Sequence, residues 1–474
     1  MQKILKGGYT LELFNDLLKN VNDGIYTLLI PLLIIAGLYF TCRTKFVQFR
    51  LIGDAFKSLI EKADKGKVSS FKSLMISTAA RIGVGHIAGI AAGIRIGGVG
   101  AIFWMWIMAL IGSASAFVES TLAQVYKVKA SNGFRGGPSY YIEKALKQKW
   151  LGMVFAVLLI VGYAYGFNSL QAFQLTSALT PSIPDEYDGI FKLIVGIVLV
   201  LLTALVIWGG THRIGFISMY IVPVMSIMYI LLSIFIICKN IDKVPELFSD
   251  IFREAFNFKS MIGAGFYGGA LMMGVKKGLF SNEAGMGSAP NAAATADVAH
   301  PVNQGLAQVL SVFIDTLIIC SATAFIVTLP GVSFDLPLAE MPFVERCVSQ
   351  EVGAWGMYVI AVSILAFAFT SIIGNYCYAE TSFLFIKDDK TLLNIFRITC
   401  LIAVFFGTQT DARTVWGISD LFMGLMACVN IVVIMLIGGV AMKTLKDYTK
   451  QKKEGKIPRF KAKEAGVLNA EVWK

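Results

Sequence analysis

The stretch Ser77-Thr78-Ala79-Ala80-Arg81-Ile82-Gly83-Val84-Gly85-His86-Ile87-Ala88-Gly89 sets an Arg and a His inside an apolar run, beside two glycines one residue apart. Each Gly costs a helix roughly 1 kcal/mol relative to Ala, so the winding is weakest at Gly83-Val84-Gly85. A helix broken there bares carbonyls that can hold a cation. The start of its second half offers N–H groups to a carboxylate. In lipid, such backbone is tolerated only where it lines a cavity. Gly85, Gly89, Gly93 and Gly97 recur every fourth residue. That is the spacing of a close helix crossing, so packing is the competing reading of the same glycines.

The rest of the chain says which medium surrounds this stretch. Its 474 residues are 56% hydrophobic and only 15% charged, with a mean hydropathy of +0.68, against about 25% charged in a soluble domain. A disordered chain, a disulfide scaffold and a typical soluble enzyme are excluded. Apolar runs near 20 residues match a helix rising about 1.5 Å per residue across a bilayer core of about 30 Å. The sequence predicts an all-α polytopic membrane protein of eleven spans, at about 24–42, 73–93, 98–124, 151–175, 189–208, 214–238, 261–277, 302–328, 354–386, 391–408 and 414–442. Helices rather than strands follow because each span must satisfy its own backbone polar groups. The first run, Gly24 to Cys42, is too long for a signal-peptide core and reads as a retained span. The seven cysteines show no C-x-x-C pair and read as small packing residues.

Charge sets the orientation. Loop 43–72 has eight Lys/Arg against three acids, loop 125–150 six against one, and the tail 441–474 ten against four. Loop 180–190 carries Asp185, Glu186 and Asp188 with no base, and loop 329–353 has four acids and one Arg. Basic segments stay on the cytoplasmic side, which puts the N-terminus outside and the C-terminal tail in the cytoplasm of a cell membrane. The basic segments abut membrane helices and lack interleaved aromatics, so they read as topology signals drawn to anionic lipid and not as nucleic-acid binders.

A second Gly cluster, Gly263-Ala264-Gly265-Phe266-Tyr267-Gly268-Gly269-Ala270-Leu271-Met272-Met273-Gly274, stands five spans after the first. Five spans of offset reverse the direction of crossing. Interrupted spans at matching places in two inverted halves are the layout of a secondary transporter with its site at the midplane. The chain divides on this reading into 1–72 (N-terminus, first span and loop), 73–260 and 261–442 (two five-helix repeats) and the tail 443–474.

Several blocks are family-specific. Ala80 to Gly89, Gly97-Gly98-Val99-Gly100-Ala101-Ile102-Phe103-Trp104-Met105-Trp106, Gly136-Gly137-Pro138-Ser139-Tyr140-Tyr141-Ile142 and Phe167-Asn168-Ser169-Leu170-Gln171-Ala172 are four of them. The most specific is Lys277-Gly278-Leu279-Phe280-Ser281-Asn282-Glu283-Ala284-Gly285-Met286-Gly287-Ser288-Ala289-Pro290, followed by His300-Pro301, Gln304-Gly305, Asp315-Thr316 and Thr370-Ser371-Ile372-Ile373-Gly374-Asn375-Tyr376. From about residue 25 to 440 the chain resembles the alanine or glycine:cation symporter family. The resemblance implies sodium-coupled uptake of a small neutral amino acid on a LeuT-like fold, five plus five inverted spans with one extra span in front. It implies a Na⁺ site at the carbonyls near Ala79 and Ile82 and the hydroxyls of Thr370 and Ser371, oxygen donors that suit a hard cation. Amides around Val84 and Gly85 would meet the substrate carboxylate. Gln171 and Asn375 would offer polar side chains, and Phe167, Met272 and Met273 would wall a small pocket. The family usually has Thr where Val84 stands and Asn where His86 stands. Phe173 and Gln174 also depart from its polar pattern.

The ionisable residues carry paired readings. His86 is either a neutral ring bonded to a carbonyl or a titrating group that lets a proton replace or supplement Na⁺. Arg81 reads as a structural or gating ion pair, because a bare cation beside a Na⁺ site would repel the ion. Glu119 and Glu380 read as solvated ends of spans or as functional carboxylates, with Asp315 in the same class. Glu283 with Lys276 or Lys277 reads as a gate or a solvated helix. A channel would show a repeated filter or charged rings. A membrane enzyme would show a motif that the three scattered His do not form. The live alternative is a transporter of the same fold coupled to protons or carrying a different small amino acid.

Overall fold

A computed structural model describes residues 2–473 except 62, 65–66, 131–132, 181–182, 258–268 and 354, and side chains outside 2–10, 185 and 357. The first helix, α1 (Gln2–Arg43), runs parallel to the last, α15 (Ala412–Lys453). Leu18, Ile25 and Phe40 of α1 sit against Gly417, Gly424 and Gly438 of α15. The extra span is therefore seated on three places where α15 has no side chain. Between them lie α2 (Ser70–Arg81), α3 (Gly85–Gly97), α4 (Ala101–Val125), α5 (Lys149–Leu179), α6 (Asp188–Ile207), α7 (Gly210–Lys239) and the amphipathic α8 (Val244–Ala255). The second half brings α9 (Ala270–Asn282), α10 (Ala289–Ala293), α11 (Pro301–Thr328), α12 (Glu340–Val352), α13 (Gly356–Ile386) and α14 (Lys390–Gly407).

Among the long unbroken spans α4 and α11 are the most buried; α6, α7 and α14 keep Ile, Leu, Val and Phe outward, the pattern of a lipid-facing belt. Both α5 and α11 contain a π-helical stretch, Ile160–Phe167 and Phe313–Cys320, a feature that concentrates at functional sites. Among the described residues nine helices are long and apolar enough to cross a bilayer, ten with the pair α2–α3, which bends by 45° at its break. The count of eleven is not confirmed, and the first part of the span expected at 261–277 lies outside the described residues. The thirteen described residues of α9 rise about 20 Å, short of a bilayer core of about 30 Å when taken by themselves.

The tail after α15 folds back on the protein. Phe460, Ala462, Val467 and Trp473 are buried. Phe460 N–H donates to Ala299 O (3.0 Å) and Trp473 Nε1 to Gln124 O (2.8 Å). His300 is held between Tyr448 and Phe460. Its Nδ1 accepts from Val302 N–H (3.2 Å) while Nε2 faces Asp447 Oδ2 at 3.3 Å. That arrangement fixes the neutral tautomer with its proton on Nε2. Burial holds the His300 imidazole below its usual range, although Asp447 opposes this. A released tail leaves the ring free to take a proton near about 6.5. Docking is thus fully stabilised above that value and weakens as the pH falls below it. Hydrogen exchange of residues 456–473, corrected for intrinsic rates, is expected to speed up between pH 7.5 and 5.5. Equal protection at both would show that His300 does not contribute.

Candidate functional site

Helix α2 stops at Ile82, whose ψ of 82° leaves the helical region, and α3 begins at Gly85. Across the break stands α13. Gly374 lets its backbone approach Ala80 closely, since a Cβ there would lie 2.7 Å from Ala80 N. Three residues earlier, Ser371 Oγ donates to Ala79 O (2.9 Å) and Ile82 O (3.3 Å). Two main-chain carbonyls and a hydroxyl converge on one point. The neighbouring Thr370 hydroxyl turns back to its own helix, onto Ala366 O (2.8 Å) and Phe367 O (3.2 Å). Two residues past Ile82, Val84 N–H donates to Gln171 Oε1 of α5 at 2.9 Å. The amide oxygen of Gln171 stands where a carboxylate oxygen could accept the same bond.

The glycine row of α3 is filled from above by side chains. A Cβ at Gly85 would meet Phe280, at Gly89 Trp416, at Gly93 Lys277 and at Gly97 Met273. Close packing is thus the role of the row beyond the break. Phe280 lies 5.5 Å from Phe167 and 5.2 Å from Trp416, and Phe167 stacks at 4.7 Å on Tyr163. These rings roof the break.

The second Gly cluster, 263–274, is described only in part. Gly263 to Gly268 fall outside the described residues, and Ala270 to Gly274 are helical. Among the described residues the backbone unwinds between α9 and α10, where Glu283 (φ 53°), Gly285 (φ 84°) and Gly287 (φ 84°) all take left-handed conformations. Glycine tolerates this at little cost. Glu119 of α4 holds the loop in shape. It accepts from Gly285 N–H (3.2 Å), Gly287 N–H (3.1 Å) and Asn430 Nδ2 (2.8 Å), and Asn430 is bonded in turn to Tyr141. Arg81 joins the two breaks, with Nη1 3.3 Å from Asp315 Oδ2 and Nε 3.6 Å from Glu283 Oε2. Glu283 also accepts from Tyr163 (2.7 Å) and Ser288 (2.6 Å).

Of the predicted residues, Ala79, Arg81, Ile82, Val84, Gly85, Phe167, Gln171, Ser371 and Glu283 gather at the two breaks. Met273 packs on Gly97 at the far end of α9, and with Met272 stands about 15 Å along the helix from Glu283, at 1.5 Å per residue. Neither walls the space at Gly83. Asn375 is one turn beyond Ser371, fully buried, with no hydrogen-bond partner for its amide among the described residues. His86 Nε2 bonds Ser281 Oγ (3.2 Å), which also meets Thr316 and Cys320. Glu119 and Glu380 are not solvated: the first is fully buried, and the second is buried against Arg397 at 3.1 Å. Glu283 pairs with Arg81 and with neither lysine, and Lys276 pairs with Asp420 at 2.6 Å. Phe280, Trp416, Tyr163 and Asn430 were not foreseen as site residues. The block around Ser281–Pro290 held the signal for the break, three left-handed positions in five residues.

A family model described as the Sodium:alanine symporter family matches residues 11–462. The amino-acid carrier protein AlsT of Bacillus subtilis (strain 168) is 46% identical, over 97% of this chain and 98% of the carrier. The probable sodium/glutamine symporter GlnT of the same organism is 45% identical, over 97% and 94%. Among solved structures, the crystal structure of MhsT in complex with L-phenylalanine aligns with a TM-score of 0.54 at 15% identity, over 86% of this chain and 95% of that one. The last likeness shows the LeuT-like fold.

Proposed function

We propose, from the premise that the chain belongs to the sodium:alanine symporter family and is a cation-coupled amino acid symporter, that it takes up a small neutral amino acid together with Na⁺ by alternating access. The observation that carries this is the adjacency of the Ala79–Ile82–Ser371 oxygen cluster and the Val84 N–H. Oxygen donors suit Na⁺. The ion would replace the Ser371 proton as the partner of both carbonyls, and Thr370 would add its oxygen by turning its side chain. The amino acid carboxylate would take Val84 N–H from Gln171 and lie beside the ion. Each ligand then orders the other's site, so the coupling is reciprocal. Phe167, Phe280 and Trp416 crowd the space over Gly85, which supports a substrate the size of alanine or glycine over glutamine. With the basic loops in the cytoplasm, α3 and α9 form the outer half of the pathway.

Purified protein in liposomes, with sodium and proton gradients imposed separately and alanine, glycine and glutamine competing, tests this. Sodium-driven alanine or glycine uptake is expected. Flux indifferent to sodium, or glutamine as the better substrate, would overturn it. Ser371→Ala is expected to raise the Na⁺ concentration for half-maximal uptake by about tenfold or more, roughly 1.4 kcal/mol, with the fold retained.

A further inference from the structure

Adjacent lysines on α9 meet different fates. Lys276 is neutralised by Asp420 of α15 at 2.6 Å. Lys277 is 8% exposed, and among the described residues its ammonium has no carboxylate within 4 Å and no hydrogen-bond acceptor. Its partners are rings: Nζ stands 4.0 Å from the centroid of Trp416 and 5.9 Å from that of Phe280. Its stem fills the groove of α3, where a Cβ at Gly93 would come 2.9 Å from Lys277 Cγ. A cation–π contact attracts the charge but leaves three N–H donors unspent. If the position only needed filling, a Met would do so without burying a charge, and an ionisable residue kept at this depth is a functional candidate. Phe280 follows one turn along α9 and closes on Gly85. The free donors therefore stand directly on the rings that roof the break.

We infer that Lys277 is an outer staging point for the substrate carboxylate. The solute's carboxylate first pairs with this ammonium, then passes Phe280 and Trp416 to the Val84 N–H. The inference rests on the proposed function and adds a positioning residue to it. The same charge repels Na⁺, so removing it shifts the two ligands in opposite directions, whereas mere loss of packing would weaken both.

Alanine and sodium dependence of uptake are measured for Lys277→Gln, Lys277→Arg and Asp420→Asn. Lys277→Gln is expected to raise the KM for alanine about tenfold, the scale of electrostatic steering, to leave Vmax within about twofold and to lower the KM for Na⁺. Lys277→Arg restores both. Asp420→Asn frees the charge of Lys276 and lowers the KM for alanine, which keeps the question decidable if the glutamine variant fails to fold. An unchanged alanine KM in Lys277→Gln, parallel weakening for both ligands, or a raised alanine KM in Asp420→Asn would overturn the inference. Absence of alanine uptake by the unmodified protein would instead overturn the proposed substrate.

Discussion

Gly83→Ala is expected to abolish uptake while leaving a folded protein. A Cβ at Gly83 would lie 2.5 Å from both Ser371 Oγ and Gln171 Nε2, and 2.7 Å from Gln171 Oε1. These are the free ends of side chains, which can swing away, so the fold survives. They are also the hydroxyl that closes on Ala79 and Ile82 and the amide that holds Val84 N–H. Moving either by about 1 Å is enough to cost on the order of 100-fold in a positioned site. Sodium-driven uptake is expected to fall by about that factor, with the melting temperature in detergent unchanged within about 2 °C, less than 1 kcal/mol by the usual scaling. By contrast, Gly374→Ala would press on the Ala80 backbone at 2.7 Å, which cannot swing away, and should lower both. Normal uptake by Gly83→Ala would move the binding site elsewhere in the molecule.

The first break was legible because Gly83-Val84-Gly85 breaks a helix by local propensity alone, with an Arg and a His marking its depth. The second is legible only in part. Counting glycines favours 263–274, of which 263–268 lie outside the described residues; Gly274 is helical, and a Cβ there would lie 2.5 Å from Ala101 O and 2.6 Å from Trp104 Cβ, so it is a packing glycine. The break between α9 and α10 depends on Glu119, which sits more than 160 residues from Gly285 in the chain and whose carboxylate replaces the helical partners of two N–H groups. No local pattern announces that distant contact. Phe280 and Trp416 were missed because an aromatic in an apolar span looks like any core residue until the groove it fills is known. Arg81 was read correctly as an ion pair on electrostatic grounds, but its partners come from two other elements, and neither spacing nor composition identifies them.

Arg81→Met is expected to damage folding as well as transport. The guanidinium is 2% exposed and serves Asp315 and Glu283 together. Arg81 faces two carboxylates, Asp315 and Glu283, which offset its charge beside the Ala79 and Ile82 carbonyls. Without it, Glu119, Glu283 and Asp315 are left buried with no positive partner among the described residues. Breaking a buried pair from one side costs about 3–5 kcal/mol, which lowers the melting temperature by roughly 5–15 °C. Lys at this position is a point charge on a flexible stem and cannot match the fork between two carboxylates, so Arg81→Lys should recover only part of the loss. Combining Arg81→Met with Asp315→Asn removes one charge of each sign. The remaining Glu283 keeps its hydroxyl partners Tyr163 and Ser288, and the melting temperature should return most of the way. Uptake should stay lost in the double variant, because nothing then ties the end of α2 to the loop that begins at Glu283 and the two breaks can no longer move as one. A melting temperature of Arg81→Met equal to that of the unmodified protein would show that the three carboxylates do not need the guanidinium. Restored uptake in the double variant would show that the link between the breaks is electrostatic balance alone.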